Sequence, residues 1–140
     1  MMINQLCVAW CAIVLIDQPH LGRAKLFYKE SFDADPFKAG QWVMSSDSKY
    51  DGQPVMVKGS EKAAPGFEDD NGLSLTQEMK FYGVSTTFPA PLDTKGKDVA
   101  VQYELKLEEG LNCGGAYIKM PRAGDAGDLS TMNNETPYTI

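Results

Sequence analysis

An all-β fold is the expectation, and three features carry it. No stretch after about residue 25 sustains a helical period, several short segments alternate apolar and polar residues, and Gly, Pro, Asn and Asp clusters separate them, as in a sandwich or barrel. A chain of 140 residues is the size of one domain, so separate cofactor and substrate domains are not expected.

The elements follow in order. Leu6-Cys7-Val8-Ala9-Trp10-Cys11-Ala12-Ile13-Val14-Leu15-Ile16 is an uninterrupted apolar run, about as long as the apolar region of a secretory leader and too short to span a bilayer. It reads either as part of a leader over residues 1–24, with the domain at 25–140, or as a buried strand or short helix. Removal of a leader would take Cys7, Cys11, Asp17 and His20 with it and leave Cys113 unmatched, which points to a thiol with a partner elsewhere or to a small buried hydrophobe. Phe27–Phe32 and Gln41–Ser45 are short strand candidates. Lys80–Phe88 places Tyr82, Val84, Thr86 and Phe88 on one face. Val99–Leu107 alternates most cleanly, with Val99, Val101, Tyr103, Leu105 and Leu107 inward and Ala100, Gln102, Glu104 and Lys106 outward. Turns are expected at Lys49-Tyr50-Asp51-Gly52, Ala64-Pro65-Gly66, Asp70-Asn71-Gly72, Lys95-Gly96 and Glu108-Glu109-Gly110, and residues 121–137 read as a solvated loop.

Composition narrows the function classes. Thirteen basic against nineteen acidic residues give a net charge of −6, which repels a phosphate backbone, so no nucleic-acid partner is expected. One histidine and three cysteines are poor material for a zinc centre of nitrogen and sulfur ligands.

Chemistry concentrates in Asn112-Cys113-Gly114-Gly115-Ala116-Tyr117-Ile118-Lys119-Met120. Read as a strand after paired glycines, it sets Tyr117 and Lys119 together on one face, opposite Ala116, Ile118 and Met120. A phenol ring and an ammonium suit the C–H faces and hydroxyls of a sugar, while an exposed sheet face with a snorkelling lysine is the plainer alternative. A glycosidase would need two carboxylates roughly 5–9.5 Å apart, and the strands offer only Glu104 on a polar face. A Ser-His-Asp arrangement goes if His20 leaves with a leader. The acidic turn Phe67-Glu68-Asp69-Asp70-Asn71-Gly72 has the oxygen chemistry of calcium without EF-hand spacing, or is simply solvated. Asn134-Glu135-Thr136 is an N-glycosylation sequon.

Several blocks then coincide in order: Tyr28-Lys29-Glu30-Ser31-Phe32-Asp33, Lys49-Tyr50-Asp51-Gly52, Asp70-Asn71-Gly72-Leu73, Val101-Gln102-Tyr103-Glu104, Cys113-Gly114-Gly115-Ala116-Tyr117-Ile118-Lys119 and Thr136-Pro137-Tyr138-Thr139-Ile140. Together they resemble the N-terminal part of the lectin domain in the calnexin/calreticulin family of endoplasmic-reticulum lectin chaperones, with the Lys-Tyr-Asp-Gly and Thr-Pro-Tyr-Thr-Ile blocks leaning toward the calnexin branch. The resemblance implies a legume-lectin-like (concanavalin A-like) jelly-roll sandwich, incomplete at this length. It implies calcium-dependent binding, without catalysis, of the terminal glucose of monoglucosylated high-mannose N-glycans. Position by position it implies Tyr117, Lys119 and Tyr138 as sugar contacts. It implies Ser31 and Asp70 as calcium ligands, with the neighbouring carbonyls at Asp69 and Asn71, and Cys113 as one half of a disulfide whose partner lies beyond Ile140. The implied partners are monoglucosylated glycoproteins and unfolded proteins, with thiol oxidoreductases or isomerases recruited by a full-length protein, in the endoplasmic-reticulum lumen or at its membrane if an anchor follows. Residues 1–140 alone are expected to leave unpaired strand edges and an uncovered apolar sheet face, and to bind glycan weakly. The competing readings are a glycoside hydrolase of similar sandwich architecture and a purely structural secreted β-domain.

Overall fold

The computed structural model describes residues 6–17, 23–58, 70–107, 115–125 and 127–140. Seven strands appear in chain order: β1 (Leu6–Asp17), β2 (Arg23–Glu30), β3 (Trp42–Met44), β4 (Val55–Lys58), β5 (Asn71–Leu75), β6 (Val84–Thr86) and β7 (Asp98–Leu107); a 3-10 turn follows at Leu129–Thr131. β1, β2, β4, β5 and β7 form one antiparallel sheet, and β3 pairs with β6 in a separate two-stranded ribbon. Among the described residues no helix is long and apolar enough to cross a membrane.

β1 organises the large sheet. Its Leu6 to Ile16 pair with β7 from Leu107 back to Asp98, which fills one of its two edges. The other edge is shared: Cys11 to Asp17 pair with β2 and Leu6 to Val8 pair with β5. Both neighbours run antiparallel to β1, so the end of β2 and the start of β5 meet along that edge near residues 9 and 10. The apolar run at the start of the chain has the conformation of a central strand.

Two irregularities interrupt the register of the sheet, one between Val8 and Cys11 opposite β7 and one between Ile13 and Val14 opposite β2. Ile13 opposes Tyr28 and Val14 opposes Leu26, so Phe27 is an extra residue in β2. A bulge of this kind re-aims side chains, and it accounts for neighbouring residues of one strand both reaching the same ring: Phe27 meets Phe88 edge-on at 5.7 Å and Tyr28 meets it at 5.3 Å.

The core lies between the sheet and the ribbon. Phe32, Leu73 and Leu75 are buried, and Phe37, Trp42, Tyr82, Val84 and Leu107 pack against them. Phe32 carries a left-handed backbone, φ 55°, a conformation costing an L residue roughly 1–2 kcal/mol. Glu30 holds that turn: one carboxylate oxygen accepts the Phe32 N–H at 2.8 Å and the other accepts the Trp42 indole N–H at 3.2 Å. The Phe32 and Trp42 rings then meet at 5.6 Å. The strand expected at Phe27–Phe32 thus begins earlier and ends at Glu30, because the following turn drives Phe32 into the core.

Other expectations need correction. Of Lys80–Phe88 only Val84–Thr86 is strand, because Phe81 and Gly83 spend their carbonyls on the N–H groups of Gly52 and Ser45 instead of on a ladder. Asp70-Asn71-Gly72 is the entry to β5 and not a turn, since β4 pairs across Asn71 and Gly72. Residues 121–137 are more than a solvated loop: Ser46 N–H donates to the Ser130 carbonyl at 2.6 Å and Ser45 Oγ to the Met132 carbonyl at 2.7 Å. The turns at Ala64-Pro65-Gly66 and Glu108-Glu109-Gly110 lie outside the described residues. β7 matches its expected span, yet its apolar side is only half covered, with Tyr103 and Leu105 exposed.

Replacing Phe32 by Ala should cost about 3–5 kcal/mol, as for other buried aromatic truncations. Urea unfolding followed by tryptophan fluorescence measures it, and a loss no larger than that of Leu26→Ala, at an exposed position, would contradict the assigned core.

Candidate functional site

Tyr117, Ile118, Lys119, Asn134 and Tyr138 line one open cavity of about 240 Å³. That is below the roughly 300–1,000 Å³ of pockets for drug-sized ligands and suits a single small ring. The cavity is built from two irregular stretches, not from a sheet. Met120 N–H donates to the Ile140 carbonyl at 2.7 Å and Thr139 N–H to the Met120 carbonyl at 2.9 Å, too few bonds for a ladder but enough to hold residues 115–120 beside 136–140. The alternation expected over Ala116–Met120 is accordingly lost: Ala116, Tyr117 and Ile118 are all exposed, while Lys119 is half-buried.

Lys119 does the joining. Its ammonium is 2.6 Å from the Asn134 carbonyl and 3.4 Å from those of Asn133 and Thr136. The same nitrogen is 4.8 Å from the centre of the Tyr138 ring and 5.6 Å from that of Tyr117. One cation therefore satisfies a turn of backbone and attracts the faces of two aromatic rings, which stay 62% and 59% exposed for Tyr117 and Tyr138. The Tyr117–Lys119 pairing expected from the sequence is present, but by ring-to-ammonium contact across a turn and not by a shared strand face.

Behind the lining stand residues the sequence did not single out as site residues. Asn133 Oδ1 accepts the Glu135 N–H at 2.9 Å and its Nδ2 donates to Asp47 at 3.3 Å, which shapes the 133–136 turn. Lys49 donates to Asn134 Oδ1 at 3.2 Å and lies 5.3 Å from the Phe81 ring centre. Burial first, then the neighbouring Tyr117 and Asp47, pushes the Tyr50 phenol above the ordinary tyrosine range. Its ring lies against Gly83, where a Cβ would sit 3.0 Å from Tyr50 Cγ. A side chain at position 83 would press on the Tyr50 ring, which would have to give by a few tenths of an ångström. The sequence signal was thin: Tyr50 stands in a turn block, and its distance from Tyr117 along the chain hides the contact.

Two other sets were expected. Sheet register brings Ser31, just past β2, and Asp70 and Asn71, at the start of β5, to the same junction beside β1. The donors there are oxygens, as calcium prefers. Ser31 Oγ donates to Asp33 at 2.7 Å, and Asp70 is exposed. Among the described residues no group of three or more His, Cys, Asp or Glu could hold a metal ion, so a shell of roughly six to eight oxygens would depend on carbonyls and on further donors. Asp69 and Cys113 lie outside the described residues. Glu104 is on β7, and no carboxylate is among the residues lining the cavity.

Comparison with known proteins decides the family. A family model described as the Calreticulin family matches residues 28–140. The chain belongs to the calreticulin family. It is 37% identical over 112 residues to calnexin homolog 1 of Arabidopsis thaliana, an alignment covering 79% of this chain and 20% of that protein. It is 35% identical over 117 residues to calreticulin of Caenorhabditis briggsae, covering 84% of this chain and 28% of that one, and 32% identical over 130 residues to calreticulin of Dictyostelium discoideum, covering 93% and 30%. The chain thus spans less than a third of the length of these relatives. No solved structure matches it. The calreticulin family comprises lectin chaperones and not enzymes, and the matched region contains every residue lining the cavity.

Tyr50 gives the site a pH signature. A folded-state phenol held above its unfolded value near 10 contributes stability that is complete below that pH and lost as pH rises through the folded value. Thermal melts between about pH 9 and 11 should show a steeper loss for the natural chain than for Tyr50→Phe; parallel curves would place Tyr50 outside the network.

Proposed function

We propose that this chain is a carbohydrate-reading part of a lectin chaperone that binds the terminal glucose of monoglucosylated high-mannose N-glycans on glycoproteins still folding, and that it performs no catalysis. The observation that carries the reading is the pair of exposed rings, Tyr117 and Tyr138, flanking one ammonium in a cavity sized for one ring. Aromatic faces pack on the C–H face of a sugar, and phenol and amide groups exchange hydrogen bonds with its hydroxyls. Lys119 acts chiefly as the residue that positions both rings and the 133–136 turn, since three carbonyls already lie within its reach. Family membership supports the chaperone reading and a place in the endoplasmic reticulum, lumenal or membrane-anchored. Monoglucosylated glycoproteins and unfolded proteins are the proposed clients, and recruitment of thiol oxidoreductases or isomerases belongs to the longer protein.

Within the same reading, residues 1–24 serve as a secretory leader and 25–140 as part of the lectin domain. Cleavage there would withdraw β1 from between β7 on one side and β2 and β5 on the other. Calcium would be held at the junction of β2 and β5 by Ser31 and Asp70 with the carbonyls at Asp69 and Asn71. It would tie two strand ends together and so act on stability before it acts on sugar. Cys113 would form a disulfide with a cysteine beyond Ile140.

An oligomannose array with and without the terminal glucose tests the sugar reading. Binding by residues 1–140 should be weak but selective for the glucosylated glycan, and Tyr117→Ala and Tyr138→Ala should each lower it about tenfold, the equivalent of about 1.4 kcal/mol. Equal binding of the two glycans, or release of free sugar, would refute it. Calcium should raise the melting temperature by mass action, and Asp70→Ala should abolish most of that rise; an unchanged response in the variant would dismiss the metal assignment.

A further inference from the structure

We propose that residues 1–140 form a two-fold dimer in which the outer edge of β7 pairs antiparallel with β7 of a second copy, centred on Gln102. The inference stands apart from the sugar reading and concerns the chain with β1 in place.

Among the described residues β7 has a strand on one side only, where β1 lies. Its other edge offers a row of backbone N–H and C=O groups along Asp98–Leu107, with neither proline nor glycine to interrupt them. Val8 opposes Leu105 and Cys11 opposes Tyr103, so two residues of β1 face one of β7 and the extra residue belongs to β1. β7 itself stays regular. The remaining outer strands are poorer templates: β2 carries the extra Phe27, β4 has four residues, and β3 and β6 have three each.

The two faces of β7 are unlike. Residues directly opposite in a ladder share a face, and Val8 opposes both Leu73 and Leu105 while Leu6 opposes both Leu75 and Leu107. Val99, Val101, Tyr103, Leu105 and Leu107 therefore lie on the face that holds the core. That core covers one end of the strand: Leu107 packs against it, yet Leu105 is 40% and Tyr103 48% exposed. Asp98, Ala100, Gln102, Glu104 and Lys106 take the opposite face.

A second copy matches this edge in one register. With Gln102 opposite Gln102, Asp98 stands opposite Lys106, Ala100 opposite Glu104, Val99 opposite Leu105 and Val101 opposite Tyr103, and symmetry repeats each of these pairs. Opposite charges meet at both ends of the ladder, valines meet the exposed leucine and tyrosine, and the two amides on the axis exchange hydrogen bonds. Other registers lose this. A slip by one residue sets the apolar face of one copy against the polar face of the other. Sliding by two residues one way sets Asp98 opposite Glu104, and the other way sets Lys106 opposite Ala100 and gives up the charge pair. Lys106 already interacts within its own chain, and its three donors suffice for a neighbour's carboxylate as well. The net charge of −6 on each copy opposes association in general, so the opposite-charge pairs select the contact. One strand pairing falls below the roughly 1,200 Å² of a standard interface, so the dimer is weak and exchanges.

Sedimentation velocity on residues 1–140, from low micromolar to near-millimolar concentration, tests this. The chain should pass from monomer to dimer and no further, because a two-fold pairing closes on itself. Asp98→Lys, at an exposed position, and Lys106→Asp should each raise the dissociation constant about tenfold or more, since each exchanges attractive pairs for repulsive ones. Mixed in equal amounts, the two variants should dimerise as the natural chain does, because both charges of one chain then meet their opposites in the other. A natural chain that stays monomeric, or grows past the dimer, overturns the proposal. So does an unchanged dissociation constant in Asp98→Lys, or a mixture that associates no better than its parts. Circular dichroism checks the fold of each variant; if Lys106→Asp loses its sheet, Lys106→Glu replaces it in the mixture and Asp98→Lys alone still decides.

Discussion

A single ammonium holds the candidate site in shape. Residues 115–120 and 133–140 are irregular, with only the bonds around Met120 and Ile140 linking their backbones. Lys119 supplies the missing order by meeting three carbonyls of one turn and two aromatic faces. A lysine used this way is cheaper than a buried ion pair, since carbonyl dipoles and ring quadrupoles stabilise the cation while one side remains near solvent. It also explains why the turn carries asparagines and a threonine. The side-chain oxygens of Asn133 and Thr136 accept backbone N–H groups within the turn, and the Asn133 carbonyl serves both the Thr136 N–H and the ammonium.

The sheet supplies the frame for this arrangement through the two unlike edges of β1. β7 occupies one edge along its length, and β2 and β5 meet end to end on the other. That meeting point is where the chain leaves β2, and Glu30 fixes its exit by holding both the Phe32 N–H and the Trp42 indole. Trp42 begins β3, the ribbon continues into Ser45 and Ser46, and these bond to residues 130–132 just before the cavity wall. The carboxylate of Glu30 and the cavity thus belong to one connected set of contacts.

Much of this was legible in the sequence, and what was not has identifiable causes. The alternation of Val99–Leu107 marked β7 because a half-covered strand writes its period directly into the residues. β5 was hidden because Asn71 and Gly72 are turn formers locally, and pairing with Lys58 and Val57 of β4 overrides that preference. The neighbourhood of Tyr117 and Lys119 was inferred correctly from a wrong local geometry: a strand face was expected, and a turn clasped by the ammonium was found. Tyr50 could not be found at all from periodicity, because it stands in a turn block and packs on a single glycine, Gly83, far along the chain. Single positions that permit contact leave no pattern, whereas repeated burial does.

The way Lys119 is used also constrains which ligands the cavity can favour. A free ammonium would attract carboxylates and phosphates above all, but this one already faces three carbonyl oxygens and two ring faces, so an anion would have to displace backbone acceptors to gain a direct contact. The residues left facing outward are two exposed phenol rings, the apolar side chain of Ile118 and a neutral amide. Those groups discriminate by ring shape and by the placement of hydroxyls, not by charge. An uncharged ring bearing hydroxyls is therefore the ligand class for which the cavity has least to rearrange. The net charge of −6 on the whole chain works in the same direction, because it opposes the approach of anions before any contact is made.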